Sequence, residues 1–113
     1  MGYRSEVLLA VKPDAAALLS TYIAKGGELA SMLSEDCSEV DKQEDGCVIY
    51  RWNGIKWYDS YPEIAALEDF MSRLEEEDMD ESYRFVRIGE DTDDNEVRGW
   101  GFEIGISRHI DFW

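Results

Sequence analysis

The spacing of apolar residues divides the chain into alternating strand and helix signals. Residues 5 to 11, from Ser5 through Val7, Leu8, Leu9 and Ala10 to Val11, form a short apolar run with the character of a buried strand. Lys12-Pro13-Asp14 ends it, and Pro13 suits the first turn of a helix. Ala15, Leu18, Leu19, Tyr22 and Ile23 then recur at helical spacing until Gly26-Gly27. Residues 28 to 46 read less clearly, because Leu29, Met32 and Leu33 fit a helical turn or a strand. A polar edge strand is expected from Ser38 to Gln43, closed by the turn Glu44-Asp45-Gly46.

Cys47 to Tyr58 carries the strongest strand signal, with Val48, Ile49, Tyr50, Trp52, Ile55 and Trp57. Asn53-Gly54 reads either as a hairpin turn or as a bulge; the four residues that follow make a short return strand, which favours the bulge. Ser60 and Glu63 have capping-box spacing around Pro62, and Ile64, Leu67, Phe70, Met71 and Leu74 form one stripe of a second helix. That helix runs into the acidic stretch 75 to 81, which opposes the helix dipole and is expected to fray. Tyr83 to Ile88 is a further strand. After an acidic loop at 90 to 96, Trp100, Phe102, Ile104 and Ile106 alternate with Gly99, Gly101, Glu103 and Gly105, predicting a C-terminal strand. The fold class that follows is α+β over a single domain, residues 1–113: an antiparallel sheet with two helices on one face, in the ferredoxin-like order β-α-β-β-α-β plus the C-terminal strand.

Charge narrows the range of partners. The 26 Asp and Glu outnumber the 11 Lys and Arg, giving a formal charge of −15. Such a field repels phosphate backbones and anionic membranes, so neither direct nucleic-acid binding nor membrane binding is expected, whereas basic protein surfaces are steered in. The same charge also serves plain solubility. No stretch approaches the roughly 20 apolar residues of a membrane span, and the opening residues lack the apolar core of a secretory signal, so a cytosolic setting is expected. Cys37 and Cys47 are too far apart for a Cys-x-x-Cys pair and are expected as free thiols.

Catalytic signatures are sparse. His109 is the only histidine, and no nucleophile elbow, phosphate-binding glycine loop or His-Glu-x-x-His motif is present. Asp91, Asp93 and Asn95 open like a calcium loop, but Glu96 stands where such a loop needs glycine and Phe102 where it needs the bidentate glutamate. A paired-carboxylate hydrolase has only the abundance of acids in its favour. No catalytic residue, metal or cofactor is therefore expected.

Met1-Gly2-Tyr3-Arg4-Ser5-Glu6-Val7, the central Lys56-Trp57-Tyr58-Asp59 and Tyr83-Arg84-Phe85-Val86-Arg87-Ile88-Gly89-Glu90 resemble segments, in the same order, of a group of small acidic proteins encoded by tailed bacteriophages and prophages. That family has no agreed activity, so no site residue is carried over; residues 27 to 46 and the Asn53-Gly54 pair depart from it. The resemblance implies a phage accessory protein in the cytoplasm of a bacterial host. Such proteins commonly inhibit host machinery, including CRISPR and other immune complexes, and strong acidity resembles the nucleic-acid mimicry of some of them.

The expected function is thus a non-enzymatic inhibitor that covers a basic, nucleic-acid-binding surface of a host protein. Its acidic contact residues are expected among Glu63, Glu68, Asp69, Glu75 and Glu76 on the second helix and Glu90, Asp91, Asp93, Asp94 and Glu96 in the following loop, with aromatic contacts from Trp52, Tyr58 and Tyr61. Trp57 and Trp100 are the expected buried pair. Two alternatives stand beside it. One is a nucleotide-signal sponge in which Arg4, Arg84, Arg87 and Arg98 converge on an anion; the other is an assembly protein that pairs through its C-terminal strand.

Overall fold

The apolar run near the start of the chain becomes the central strand. In the computed structural model, which describes residues 4–25, 28–34, 37–58, 60–90, 94–101, 104–106 and 110–112, β1 (Ser5–Val11) pairs with β3 (Val48–Ile55) on one side and β4 (Tyr83–Ile88) on the other. β2 (Glu39–Lys42) adds outside β3, and β5 (Asn95–Gly99) outside β4. The sheet order is β2-β3-β1-β4-β5, with every pair antiparallel.

Among the described residues three α-helices, not the expected two, cover one face: α1 (Pro13–Ala24), α2 (Glu28–Ser34) and α3 (Pro62–Glu76). Leu29, Met32 and Leu33, the residues whose pattern was ambiguous, sit at helical spacing and are buried, so α2 arises within the segment that the sequence left open. Ala15 and Leu19 of α1 and the stripe Ile64, Leu67, Phe70, Met71 and Leu74 of α3 share one core with Val7, Leu9, Val11, Tyr50, Trp52, Tyr83 and Phe85 of the sheet. The opposite face buries Leu8, Ala10, Ile49 and Val86. Against β1 and β4 lies a separate two-stranded hairpin, β6 (Ile104–Ile106) and β7 (Ile110–Phe112). With both faces covered, β1 needs no polar alternation, and Val7 through Val11 are fully buried.

Asn53-Gly54 is a bulge within β3. Ser5 lies opposite Ile55 and Val7 opposite Trp52, so β3 uses one residue more than β1 over this stretch. Two expectations fail at chain boundaries. Ser60 does not cap α3: the N-cap is Tyr61, with no side-chain cap, because Pro62 takes the first helical position and leaves Ser60 outside. The expected strand through Trp100 and Ile106 is broken, since β5 ends at Gly99, whose φ of 73° turns the chain out of the sheet before β6 begins. Phe102 and Glu103 lie outside the described residues.

Candidate functional site

The acidic segment after α3 is ordered, contrary to the fraying its charge predicted. Asp78 adopts φ 58°, its N–H donates to the Glu75 carbonyl, and the Met79 N–H donates to the Leu74 carbonyl at 2.8 Å. Those two bonds form a Schellman cap with aspartate in the position that glycine usually takes. Met79 packs against the main core, as the residue after such a cap commonly does, and a 3-10 turn at Asp80–Ser82 leads directly into β4. Glu77 is bound back to Arg73 one turn earlier, at 2.7 Å.

Arg98 of β5 locks this segment from the side. Its guanidinium donates to Glu68 at 2.7 Å and to both carboxylate oxygens of Glu75, at 2.9 and 3.2 Å. The Tyr83 hydroxyl donates to Glu75 at 2.6 Å. The Arg98 hydrogen bond holds the Glu75 carboxyl below the usual carboxylate range, although burial works the other way. Burial and the Glu75 carboxylate both push the Tyr83 phenol up, so it stays a donor. Glu68 and Glu75 are therefore internal struts facing β5, and the expected outward acidic face of the helix loses them.

The ordered turn presents Glu76, Asp78 and Glu81, all exposed, and the half-buried Asp80. Among the described residues none of the four carboxylates is paired with a cation. Against Asp80 and Glu81, at the end of this turn, stands the aromatic that sequence spacing assigned to the core. Trp100 donates its backbone N–H to the Asp80 carbonyl at 2.9 Å, and the residue is 61% exposed. Gly101 N–H donates to the Tyr83 carbonyl, so the backbone at Trp100 is tied to the turn and that of the next residue to the start of β4. A fixed backbone, a ring open to solvent and four free carboxylates make the strongest candidate contact surface on the described molecule.

The other expected contact residues are dispersed. Glu63 lines a recess of about 310 Å³ together with Arg4, Lys56 and Tyr61, away from the acidic turn. Asp69 accepts the Tyr22 hydroxyl at 2.8 Å, Glu90 accepts the Arg4 backbone N–H at 2.7 Å, and Asp94 and Glu96 both hold Arg87. Glu96 belongs to β5, not to a loop, and Asp91 and Asp93 lie outside the described residues. Trp52 is core: it is 1% exposed, and its indole N–H donates to the Met32 carbonyl of α2 at 3.0 Å. Tyr58 and Tyr61 are half-buried and meet edge-on at 5.3 Å. Trp57 packs on Phe85 at 5.4 Å, so the expected Trp57–Trp100 pair does not form.

The arginines do not converge. Arg87 and Arg98 are held by carboxylates on the helix side, Arg84 shares the opposite face with Val86 and donates to the Gly99 carbonyl, and Arg4 donates to the Gly54 carbonyl. Cys37 and Cys47 are free thiols whose burial pushes them up, away from the thiolate that a nucleophile needs. His109 lies outside the described residues. Among the described residues no group of three or more His, Cys, Asp or Glu could hold a metal, and no helix is long and apolar enough to cross a membrane. Comparison with protein-family models, curated proteins and solved structures finds no match.

Proposed function

We propose that the protein acts by binding a basic surface of another protein and performs no catalysis itself. The observation that carries this reading is the exposed Trp100 held against the capped acidic turn of residues 76 to 81. A large aromatic supplies contact area at little entropic expense, and surrounding acids steer and orient a cationic partner. A backbone held by a cap also loses less freedom on binding than that of a frayed end. The resemblance to acidic phage proteins makes a nucleic-acid-binding protein of a bacterial host, of the CRISPR or other immune kind, the class of partner to test; covering its groove would inhibit it.

The test is capture from bacterial lysate at low salt by the immobilised wild-type chain, with mass spectrometry of what is retained. The expected result is a nucleic-acid-binding protein that DNA or RNA displaces and that Trp100→Ala and Glu81→Lys fail to retain. Equal capture by wild type and both variants would refute the assigned surface. Absence of any nucleic-acid-binding protein from the wild-type eluate would refute the partner class.

A further inference from the structure

The opposite edge of the sheet offers a second and independent contact. All four residues of β2 are exposed, and Val40 is 39% exposed. The hydrogen bond from Gln43 N–H to the Cys47 carbonyl sets the phase of the antiparallel ladder, in which Asp41 faces Ile49 and Glu39 faces Arg51 as bonded pairs. The N–H and C=O groups of Val40 and Lys42 therefore point away from β3, a short open edge ready to pair.

The side chains along this edge are sorted by face. Val40 and Lys42 lie on the helix side with Tyr50, lining a cleft of about 600 Å³ completed by Ile23, Ala30 and Leu33. Glu39 and Asp41 lie on the other side. A strand added to β2 would thus place one set of alternate side chains over an apolar cleft and the other set beside two carboxylates. A second copy of this chain fits poorly. Antiparallel pairing of the open groups centred on Val40 sets Glu39 against Asp41 of the other copy, and pairing centred on Asp41 sets Asp41 against itself.

We propose that the outer edge of β2 accepts an extended segment of a partner protein in which basic and apolar residues alternate. Main-chain bonds to Val40 and Lys42 hold the segment, the cleft takes its apolar side chains, and Glu39 and Asp41 take its basic ones. This site lies at the far edge of the sheet from β5 and Trp100, so it stands or falls separately from the acidic turn.

The probe is a synthetic nine-residue peptide of alternating lysine and valine, titrated into the full-length isotope-labelled chain and followed by amide hydrogen exchange and chemical shifts. The expected result is slowed exchange at Val40 and Lys42. Val40→Pro should weaken binding at least about tenfold: its N–H faces outward, so the fold loses no ladder bond while the docked strand loses an acceptor–donor pair. In the antiparallel pairing that sets each valine opposite Val40 or Lys42, the valine N–H groups face β2; with the protein unaltered, N-methylation of the peptide's valines should therefore abolish binding, and N-methylation of its lysines should not. A block peptide of the same composition, lysines first, should bind at least about tenfold more weakly. Equal binding by Val40→Pro, by the block peptide or by the valine-methylated peptide would overturn the proposal, as would protection at β5 instead of β2 or dimerisation of the free chain through these amides.

Discussion

Replacing Arg98 by methionine tests whether long-range pairing holds the acidic turn. Arg98 is 16% exposed and makes charge-assisted bonds to Glu68 and Glu75, which are themselves 31% and 37% exposed. Removing hydrogen bonds to charged groups costs about 1.5–3 kcal/mol when the partners stay buried, and water relieves part of that at carboxylates this exposed, leaving about 2 kcal/mol. For a domain of this size that is a fall in Tm of about 8 °C. The pH dependence has a defined sign. Arg98 lowers the folded Glu75 value, so the stabilisation is complete above the unfolded carboxyl value, about 4.3, and disappears as pH falls through the lower folded value. The difference between Arg98→Met and wild type should therefore be full at pH 7 and shrink below about pH 4. Circular-dichroism melts at both pH values measure it. A drop of less than about 2 °C at pH 7, or an undiminished difference in acid, would refute the strut.

Two left-handed residues should respond in opposite directions. Asp78→Gly removes a side chain from φ 58° at the α3 cap and should stabilise by about 1 kcal/mol, seen as a higher urea midpoint. Gly99→Ala should destabilise by about 2 kcal/mol or more in the same assay, because a Cβ at φ 73° would run into the Tyr83 carbonyl. Trp100→Ala should leave Tm within about 2 °C of wild type while losing the captured partner; a large fall in Tm would show that the ring is structural. Capture by the wild-type chain should weaken steeply as salt rises, and a salt-independent yield would exclude the acidic surface as its cause.

The parts legible in the sequence were those governed by neighbours close along the chain. The α3 stripe from Ile64 to Leu74 and the continuous apolar run of β1 each announce their own environment, and the shortness of residues 55 to 58 was enough to favour the bulge at Asn53-Gly54. Trp100 was misplaced because a period of two was carried across Gly99, where a positive φ breaks the parity. The end of α3 was misjudged because the dipole argument sees only the helix: Arg98 arrives from 23 residues beyond Glu75, and nothing local to Asp78 shows that it will cap in a left-handed conformation. Glu68 and Glu75 were assigned to an outer face for the same reason, since their cation belongs to a strand made later in the chain.

The position of β1 also bears on how the molecule is made. Its most apolar segment ends at Val11, yet one of its two strand partners is not complete until Ile88. At translation rates of about 5–20 residues/s, that strand waits roughly 4–15 s on the ribosome before its pairing can finish. Until α1, β3 and α3 have also emerged the nascent chain exposes its stickiest residues, and the surplus of acids between Val11 and Ile88 gives the emerging chain a net negative charge.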